Sequence, residues 1–516
     1  MELSRFQRRA DGLVAVLLIL ATVTYLWFWP RDFYYFDEGL FLYESKKILD
    51  GAILYRDLFE IVTPLTWYLM AFSFRIFGTD IATARAVMAI VHGLIAVVVF
   101  LTCRRLGVRR GISLAAGVAH VAICFPALTI ATPHWFSTLF TLLLLLVCLR
   151  RPWTSGASWL ILPGLLAGTL IAVQQQKGVV ISAVVCALLL VDHVVKRLHG
   201  ASARRPAKEV AYFAGGILIV VVPLVLFLLA TAGPNAVFSA LIRHPLVNYR
   251  RFNHAPWGMY APWAPEFFVH PLFMKYMPLI LPVLVLRGLA KWMAGADAEE
   301  LRPVLTQLVF GVFCILSIAY FPDYAHIALI APVFFIMIAD TAEWMLRSVG
   351  SIAPRFAGAA GHALVLCFLA GLAFQLDVNL HRRQRLYPAT HMTALGRVDF
   401  ANPEDIVLID KLQELLRDTT PREIFCYPFC AGFYLMVGAD NPTRYQMLVP
   451  EYSGAEQIQE ALDSLESHRT RYVIVLTVWV NWERDPVIRY LNERYERVDL
   501  GLPSSMPGVV LFSRKQ

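Results

Sequence analysis

Long apolar blocks separated by short polar stretches make up the first three quarters of the chain. A helix that crosses the apolar core of a bilayer needs about 20 such residues. The blocks predict an α-helical polytopic membrane bundle of about 11 spans, with loops 30–81 and 232–271 on the same side. The predicted spans are 13–29, 82–103, 112–130, 135–149, 158–173, 178–195, 210–230, 272–292, 304–321, 325–345 and 357–376.

The pattern changes after residue 376, where the chain acquires the charge and alternation of a water-soluble domain. Alternating apolar runs predict strands at 423–427, 472–478, 497–500 and 509–512. Acidic, Ser or Asn entry signals predict helices at 403–417, 455–467 and 486–494. We therefore expect a transmembrane domain over 1–376 and a small α/β domain over 377–516.

Segment 64–77 is apolar but has only about 14 residues, roughly 21 Å as a helix, and Arg75 interrupts it. If it crossed the membrane, the basic loop 104–110 would lie outside, against the positive-inside rule. We therefore predict that it lies on the outer surface. The N-terminus is then cytoplasmic, both long loops and the C-terminal domain are extracytoplasmic, and the protein is a multi-pass protein of the plasma membrane.

Composition supports this class. Hydrophobic residues make up 58% and charged residues 16% of 516 residues, which is too apolar for a soluble chain of this length. The net charge of +8 comes from short basic loops, so it reflects the orientation of the spans in the membrane. We therefore predict no nucleic-acid partner. The eight cysteines form no CxxC pair, and Cys426 and Cys430 could be bridged in an oxidising compartment. No P-loop, GxGxxG, HExxH or serine-elbow motif is present.

Candidate chemistry begins in the first long loop with the adjacent acids Asp37 and Glu38. Neighbouring carboxylates raise each other's proton affinity, and a carboxylate beside an acceptor hydroxyl can act as general base. In the alternative interpretation, Asp37 caps a helix that starts at Gly39 or Leu40, and Glu38 faces solvent.

Cationic residues at the external ends of spans are candidates for binding a phosphorylated lipid, whose charge grows when it leaves. Lys177, in a run of glutamines between two spans, either lines a polar cavity or reaches the membrane interface. Arg85 is either an interface anchor or a phosphate contact, and Arg250 and Arg251 either bind substrate or contact lipid headgroups. The full cationic set is Arg56, Arg85, Lys177, Arg243, Arg250, Arg251 and His326.

Asp323 and His326 also lie at an external span end, and their spacing places them on one helix face. They could bind a sugar, a phosphate or a metal, or form an internal ion pair. Two ligands are too few to predict a metal site.

The order of parts in residues 33–110 resembles the GT-C superfamily of integral membrane glycosyltransferases. Within it, the branch of protein O-mannosyltransferases and lipid A aminoarabinose transferases is the most similar. An acidic loop after the first span, a tyrosine, a Gly-x-x-x-Tyr-Arg-Asp element, a short apolar piece and an Ala-Arg entry to the next span carry the resemblance. The matching positions are Asp37-Glu38-Gly39, Tyr43, 51–57, Pro64, Phe77-Gly78 and Ala84-Arg85.

The resemblance implies a polyprenyl-phosphate sugar donor, inversion at the anomeric carbon, and Asp37 as the base with Glu38 beside it. It leaves a divalent cation open, because some members need one and others do not. The aminoarabinose transferases have Lys-Pro-Pro in this loop, whereas this chain has Val62-Thr63-Pro64. Arg56 or Lys177 would then replace that lysine.

We therefore predict a membrane glycosyltransferase that moves a sugar from a polyprenyl-phosphate donor to a lipid, glycan or protein acceptor on the external face, among membrane lipids. A transporter or flippase of a lipid-linked sugar is the alternative, although such proteins place ionisable groups at the midplane and show repeats. A further alternative is a non-catalytic assembly or sensor protein that works through residues 380–516.

Overall fold

The computed structural model describes residues 5–150, 156–198, 206–249, 255–259, 271–352, 354–450, 452–477, 480–501 and 508–515. Its α-helices, numbered α1 to α19 in chain order, are Arg5–Trp27, Asp37–Leu49, Leu65–Phe77, Ile81–Arg105, Arg110–Ala119, Pro133–Arg150, Ile161–Val173, Gln175–Leu198, Pro206–Ala232, Pro234–Phe238, Pro271–Tyr276, Ile280–Met293, Ala298–Ser317, Tyr324–Ile352, Pro354–Leu386, Pro403–Leu415, Gly432–Val437, Ala455–Ser467 and Pro486–Arg494. The strands β1 to β6 are Ala389–Thr393, Gly396–Phe400, Phe425–Tyr427, Tyr472–Leu476, Tyr495–Val498 and Val509–Arg514.

The helical bundle confirms the fold class read from the apolar blocks. Nine helices of the described chain are long and apolar enough to cross a membrane. Two shorter apolar helices, α6 and α7, occupy the remaining two predicted spans. The helix that begins at Arg110 continues through a π-helical turn, His120–Cys124, and a 3₁₀-helical turn, Phe125–Ala127.

Helix α3 accounts for the ambiguous segment 64–77. Its 13 residues give a length of about 20 Å, shorter than the apolar core of a bilayer. One face, with Trp67, Met70 and Phe74, is buried against the bundle, while Phe72 and Ile76 are exposed. The indole nitrogen of Trp67 donates to the buried Glu44 of α2, at 2.8 Å. The helix is therefore too short to span the bilayer in a straight path, and its position at the membrane surface stays a prediction.

The bundle end remote from Asp37 holds several buried acids, and each has an arginine partner. Removing an ion from water costs several kcal/mol unless a partner of opposite charge compensates it. These contacts join α1, α4, α5, α12 and α14 at that end. The pairs are Asp11 with Arg104 and Arg110, Asp340 with Arg287, and Glu343 with Arg109 and Arg347.

The C-terminal region contains the predicted α/β unit and two elements that were not predicted. Its main sheet has the order β3-β4-β6-β5, with β3 parallel to β4 and the other neighbours antiparallel. The hairpin β1–β2 and the short helix α17 were missed; the strands of the hairpin are short, only partly buried and carry little apolar alternation. Helix α15 continues to Leu386, past the predicted span end, because a polar sequence can extend a helix beyond the bilayer. The division at residue 376 stays a prediction.

The C-terminal region packs directly on the first long loop, residues 30–81. A Cβ atom on Gly39 would lie 2.4 Å from the backbone nitrogen of Gly432, so only glycine fits at the third position of Asp-Glu-Gly. The amide of Gly432 donates to the carbonyl of Tyr35 at 2.8 Å, and the rings of Tyr35 and Phe433 stack at 4.9 Å. Cys426 and Cys430 are free thiols in the interior of this region. These contacts with the C-terminal region therefore hold the loop that carries Asp37.

Candidate active site

The two adjacent acids have different surroundings. Helix α2 begins at Asp37 itself, with Phe36 at the N-cap and no side-chain cap, so Asp37 does not cap a later helix start. Glu38 is fully buried. The expectation that Glu38 faces solvent is therefore wrong.

Glu38 is held by four donors on neighbouring segments. Both of its oxygens accept hydrogen bonds from the guanidinium of Arg85, in helix α4. The amides of Ala131 and Tyr34 donate to it at 2.7 and 3.1 Å. Arg85 also donates to the carbonyl of Asp32. This clamp ties the start of α2 to α4 and to the segment before α6.

Asp37, in contrast, keeps an exposed side chain in a recess that protein atoms surround. That crowding raises the pKa of the Asp37 carboxyl above its ordinary value, and the negative charge of Asp323 adds to the increase. The positive charge of His326 and the amide of Asp37 itself oppose it. Asp37 is thus reachable by a substrate and acts within the field of the Asp323–His326 pair.

Asp323 and His326 form the internal contact that was one of the predicted alternatives. Asp323 Oδ1 accepts from the amide of His326 at 2.8 Å and lies 2.7 Å from its Nδ1. The ring of His134, at the start of α6, lies 5.3 Å from the His326 ring. His134 Nδ1 is 3.2 Å from the amide nitrogen of Gln174. Polar groups from three helical segments therefore meet beside Asp37.

Lys177 is the buried cation of this region. Only 3% of its surface is exposed, and its ammonium donates to the hydroxyl of Thr138 at 3.4 Å. No carboxylate of the described chain lies within 4 Å of it. It also lies in the first turn of α8, where the helix dipole disfavours a positive charge. Of its two predicted settings, the buried position favours a polar cavity over the membrane interface.

The turn between α7 and α8 fixes the position of Lys177. A Cβ on Gly178 would lie 2.5 Å from the backbone of Ile171, so the two helices approach closely there. The side chain of Gln175 accepts from the amide of Thr63 at 3.0 Å and donates to the carbonyl of Ile61 at 2.6 Å. The first long loop and the Lys177 turn are therefore one connected unit.

Aromatic side chains line the same region. The ring of Tyr320 lies 5.5 Å from His326 and 6.0 Å from Tyr249, which in turn lies 6.1 Å from Tyr452 of the C-terminal region. Burial, the neighbouring tyrosines and the charge of Asp37 raise the pKa of Tyr249. Rings and hydroxyl groups beside a carboxylate are suited to contact a sugar, which has both apolar faces and hydroxyl groups.

The other predicted cations lie elsewhere. Arg56 is exposed and forms a two-point ion pair with its neighbour Asp57 at 2.8 and 2.9 Å. Arg243 is exposed, 3.9 Å from Glu456. Arg250 and Arg251 fall outside the described residues. Lys177 and His326 are the predicted cations that both lie near His134.

Sequence reasoning missed His134, Tyr249, Tyr320 and Tyr452, whereas Gln174 belongs to the run of glutamines that was noted beside Lys177. His134 and Tyr320 lie at span ends near Asp323 and His326, so the signal that found those two residues could have found them as well. Tyr452 lies in the C-terminal region, and no local pattern connects it to the bundle. Within the described ranges, no three His, Cys, Asp or Glu side chains are grouped to hold a metal ion.

Comparison with known proteins gives a family match over part of the chain. Residues 62–227 match the family model described as dolichyl-phosphate-mannose-protein mannosyltransferase. No curated protein matches the chain by sequence.

Solved structures match along nearly the whole chain. ArnT from Cupriavidus metallidurans bound to undecaprenyl phosphate is 14% identical with a TM-score of 0.61, covering 96% of this chain and 97% of that one. Apo ArnT is also 14% identical, with a TM-score of 0.56 and 98% of each chain covered. The apo oligosaccharyltransferase of Archaeoglobus fulgidus is 13% identical with a TM-score of 0.56, covering 100% of this chain and 75% of that one. These matches show that the chain has the fold of the GT-C glycosyltransferases, which confirms the resemblance noted in its first long loop.

Proposed function

We propose that this protein transfers a sugar from a polyprenyl-phosphate donor to a hydroxyl group of a lipid, glycan or protein acceptor at the external membrane face, with inversion. The observation that carries the proposal is the joint placement of an exposed acid and a buried, uncompensated cation at one end of the bundle. Asp37 can accept a proton there. Lys177 lacks the anion that its burial requires.

In the proposed reaction, a carboxylate oxygen of Asp37 accepts the proton of the acceptor hydroxyl while the hydroxyl oxygen attacks the anomeric carbon. The bond between that carbon and the phosphate oxygen breaks, and its electron pair stays on the phosphate. Lys177 binds the departing lipid phosphate and stabilises the charge that it gains. Attack opposite to the leaving group inverts the anomeric carbon. A positioned general base of this kind contributes about 10²- to 10⁴-fold in rate.

Glu38 and Arg85 are positioning residues in this proposal. Their mutual contact fixes the first turn of α2 and therefore the direction in which Asp37 projects. The likeness to ArnT, which was solved with undecaprenyl phosphate bound, supports the choice of a polyprenyl-phosphate donor. The family match to a mannosyltransferase supports sugar transfer and leaves the sugar open.

The test is release of free polyprenyl phosphate from a labelled polyprenyl-phosphate hexose by the full-length protein in liposomes, with and without Mg²⁺ or Mn²⁺. We expect release by the wild type, and a decrease of about 10²-fold or more in the Asp37→Asn variant. Asp57→Asn, which alters an exposed acid of the same loop, is the matched control and should retain activity.

Two results would overturn the proposal. Equal release by wild type and Asp37→Asn would remove the assigned base. Transfer of intact donor across the bilayer without cleavage would instead identify a flippase.

A further inference from the structure

A second cavity, of about 330 Å³, lies where helix α1 ends, helix α15 ends and the hairpin β1–β2 begins. It is lined by different residues from those around Asp37. The lining residues that matter for its chemistry are Trp27, Trp29, Arg31, Gln384, Arg397 and Asp399.

Two arginines and one acid leave this cavity with a net positive charge. Neither Arg31 nor Arg397 has a carboxylate of the described chain within 4 Å of its guanidinium; the guanidinium of Arg31 instead lies 5.5 Å from the centre of the Trp27 ring. The acid in the cavity, Asp399, accepts from the amide of Arg31 at 2.8 Å and from the hydroxyl of Thr390 at 2.7 Å. Its carboxylate is thus engaged by donors other than the two guanidinium groups.

Trp29 adds a hydrogen-bond donor without an acceptor. Its side chain is 5% exposed, and its indole nitrogen is buried with no hydrogen-bond partner in the described chain. A buried donor left without a partner costs about 1–3 kcal/mol. An acceptor supplied by a ligand would remove that cost.

The position of the cavity indicates where its ligand comes from. Trp27 and Phe28, at the end of the first span, are 58% and 60% exposed. Large aromatic side chains at a span end are typical of the boundary between lipid tails and headgroups. A ligand there can keep its tail in the bilayer and its headgroup in the cavity.

We propose that this cavity binds the phosphate of an anionic phospholipid headgroup at the outer membrane boundary. Arg31 and Arg397 supply charge-assisted hydrogen bonds, and the indole of Trp29 supplies a neutral one. The bound lipid would join the end of α1 to the hairpin of the C-terminal region. This site is independent of the proposed transfer reaction, and neither arginine belongs to the proposed catalytic set.

The test is native mass spectrometry of the delipidated full-length protein titrated with phosphatidylglycerol. All samples carry Lys177→Gln, so that the buried cation of the proposed catalytic site does not add to the signal. We expect about 10-fold weaker binding in the double variant Arg31→Gln/Arg397→Gln and about threefold weaker binding in Trp29→Phe, which keeps the ring and removes the donor. Arg75→Gln, an exposed cation on α3, should bind as the parent does.

Competition by about 10 mM inorganic phosphate separates two sources of the same anion. Displacement of the lipid would show that the phosphate group alone suffices, whereas persistence of binding would show that the lipid tail contributes; both results support an anion site. Unchanged phosphatidylglycerol binding in the Arg31 and Arg397 variants, or equal binding of zwitterionic phosphatidylcholine, would overturn the proposal. If the double variant does not fold, Trp29→Phe and the single arginine variants provide the same test of phosphatidylglycerol binding.

Discussion

Buried charges are treated differently at the two ends of the bundle. At the end remote from Asp37, the buried acids Asp11, Asp340 and Glu343 each have an arginine within 3.1 Å. Around the Asp37 recess, Lys177 is buried with a hydroxyl group as its nearest partner.

Glu44 and Glu60, under the C-terminal region, form a second uncompensated site. They are buried together without a cation within 4 Å in the described chain. Burial raises the pKa of both carboxyls, to about 7 for Glu60.

This difference separates groups that stabilise the fold from groups that await a partner. A compensated buried pair holds helices together, and its loss leaves a bare charge in the interior. An uncompensated buried charge costs stability, so its presence is explained when a ligand or a proton supplies the missing charge. We therefore infer a structural role for the paired buried charges, which include Glu38 and Arg85 beside Asp37, and a functional role for the unpaired ones, and each inference can be tested.

The largest expected effect on stability is at the remote end. Asp340→Asn keeps the shape of the side chain but leaves Arg287 buried without its anion. We expect a loss of about 3–5 kcal/mol in the free energy of unfolding, measured as a lower melting temperature in detergent. Turnover per folded molecule should stay unchanged. Asp377→Asn, at an exposed acid, is the control and should have the same melting temperature as the wild type.

The opposite outcome is expected for Lys177→Met. Removing a buried charge that has no anionic partner should leave the melting temperature unchanged or raise it. Binding of polyprenyl phosphate should weaken by about 10²-fold, because a buried ion pair with the ligand is lost. Isothermal titration measures the binding of polyprenyl phosphate, and thermal melting of the same preparation measures the stability. A lower melting temperature with unchanged binding would show that Lys177 belongs with the structural charges.

These predictions also show what the sequence could provide. The apolar blocks are long, so their length alone predicted the spans, and polar residues at span ends indicated Lys177, Asp323 and His326. The sequence could not predict that Arg85 would hold Glu38, because 47 residues separate them and either could have faced solvent. It also could not place Tyr452 beside the bundle, because the packing of the C-terminal region depends on contacts such as Gly39 against Gly432.

A smaller effect is expected from the carboxyl pair Glu44–Glu60. Because burial raises the pKa of Glu60 from 4.5 to about 7, the folded state binds a proton that the unfolded state releases between these values. Its contribution to stability is full below about pH 4.5 and is lost as the pH rises through about 7. The melting temperature should therefore fall between pH 5.5 and 8. Glu60→Gln, which keeps an acceptor for the amides of Ile61 and Val62, should flatten this slope, whereas Asp463→Asn, at an exposed acid, should not.

The smallest expected effect concerns the tuning of Asp37 by its neighbours. The charge of Asp323 contributes to the raised pKa of Asp37, so Asp323→Asn should lower that pKa. Because the base acts when deprotonated, the acidic limb of the kcat/KM profile should move to lower pH. Asparagine keeps an oxygen that can accept from the amide of His326, so the start of α14 is preserved. Asp440→Asn, at an acid paired with Lys47, is the control. A limb that moves to higher pH, or does not move, would show that the base titrated in the profile is not Asp37.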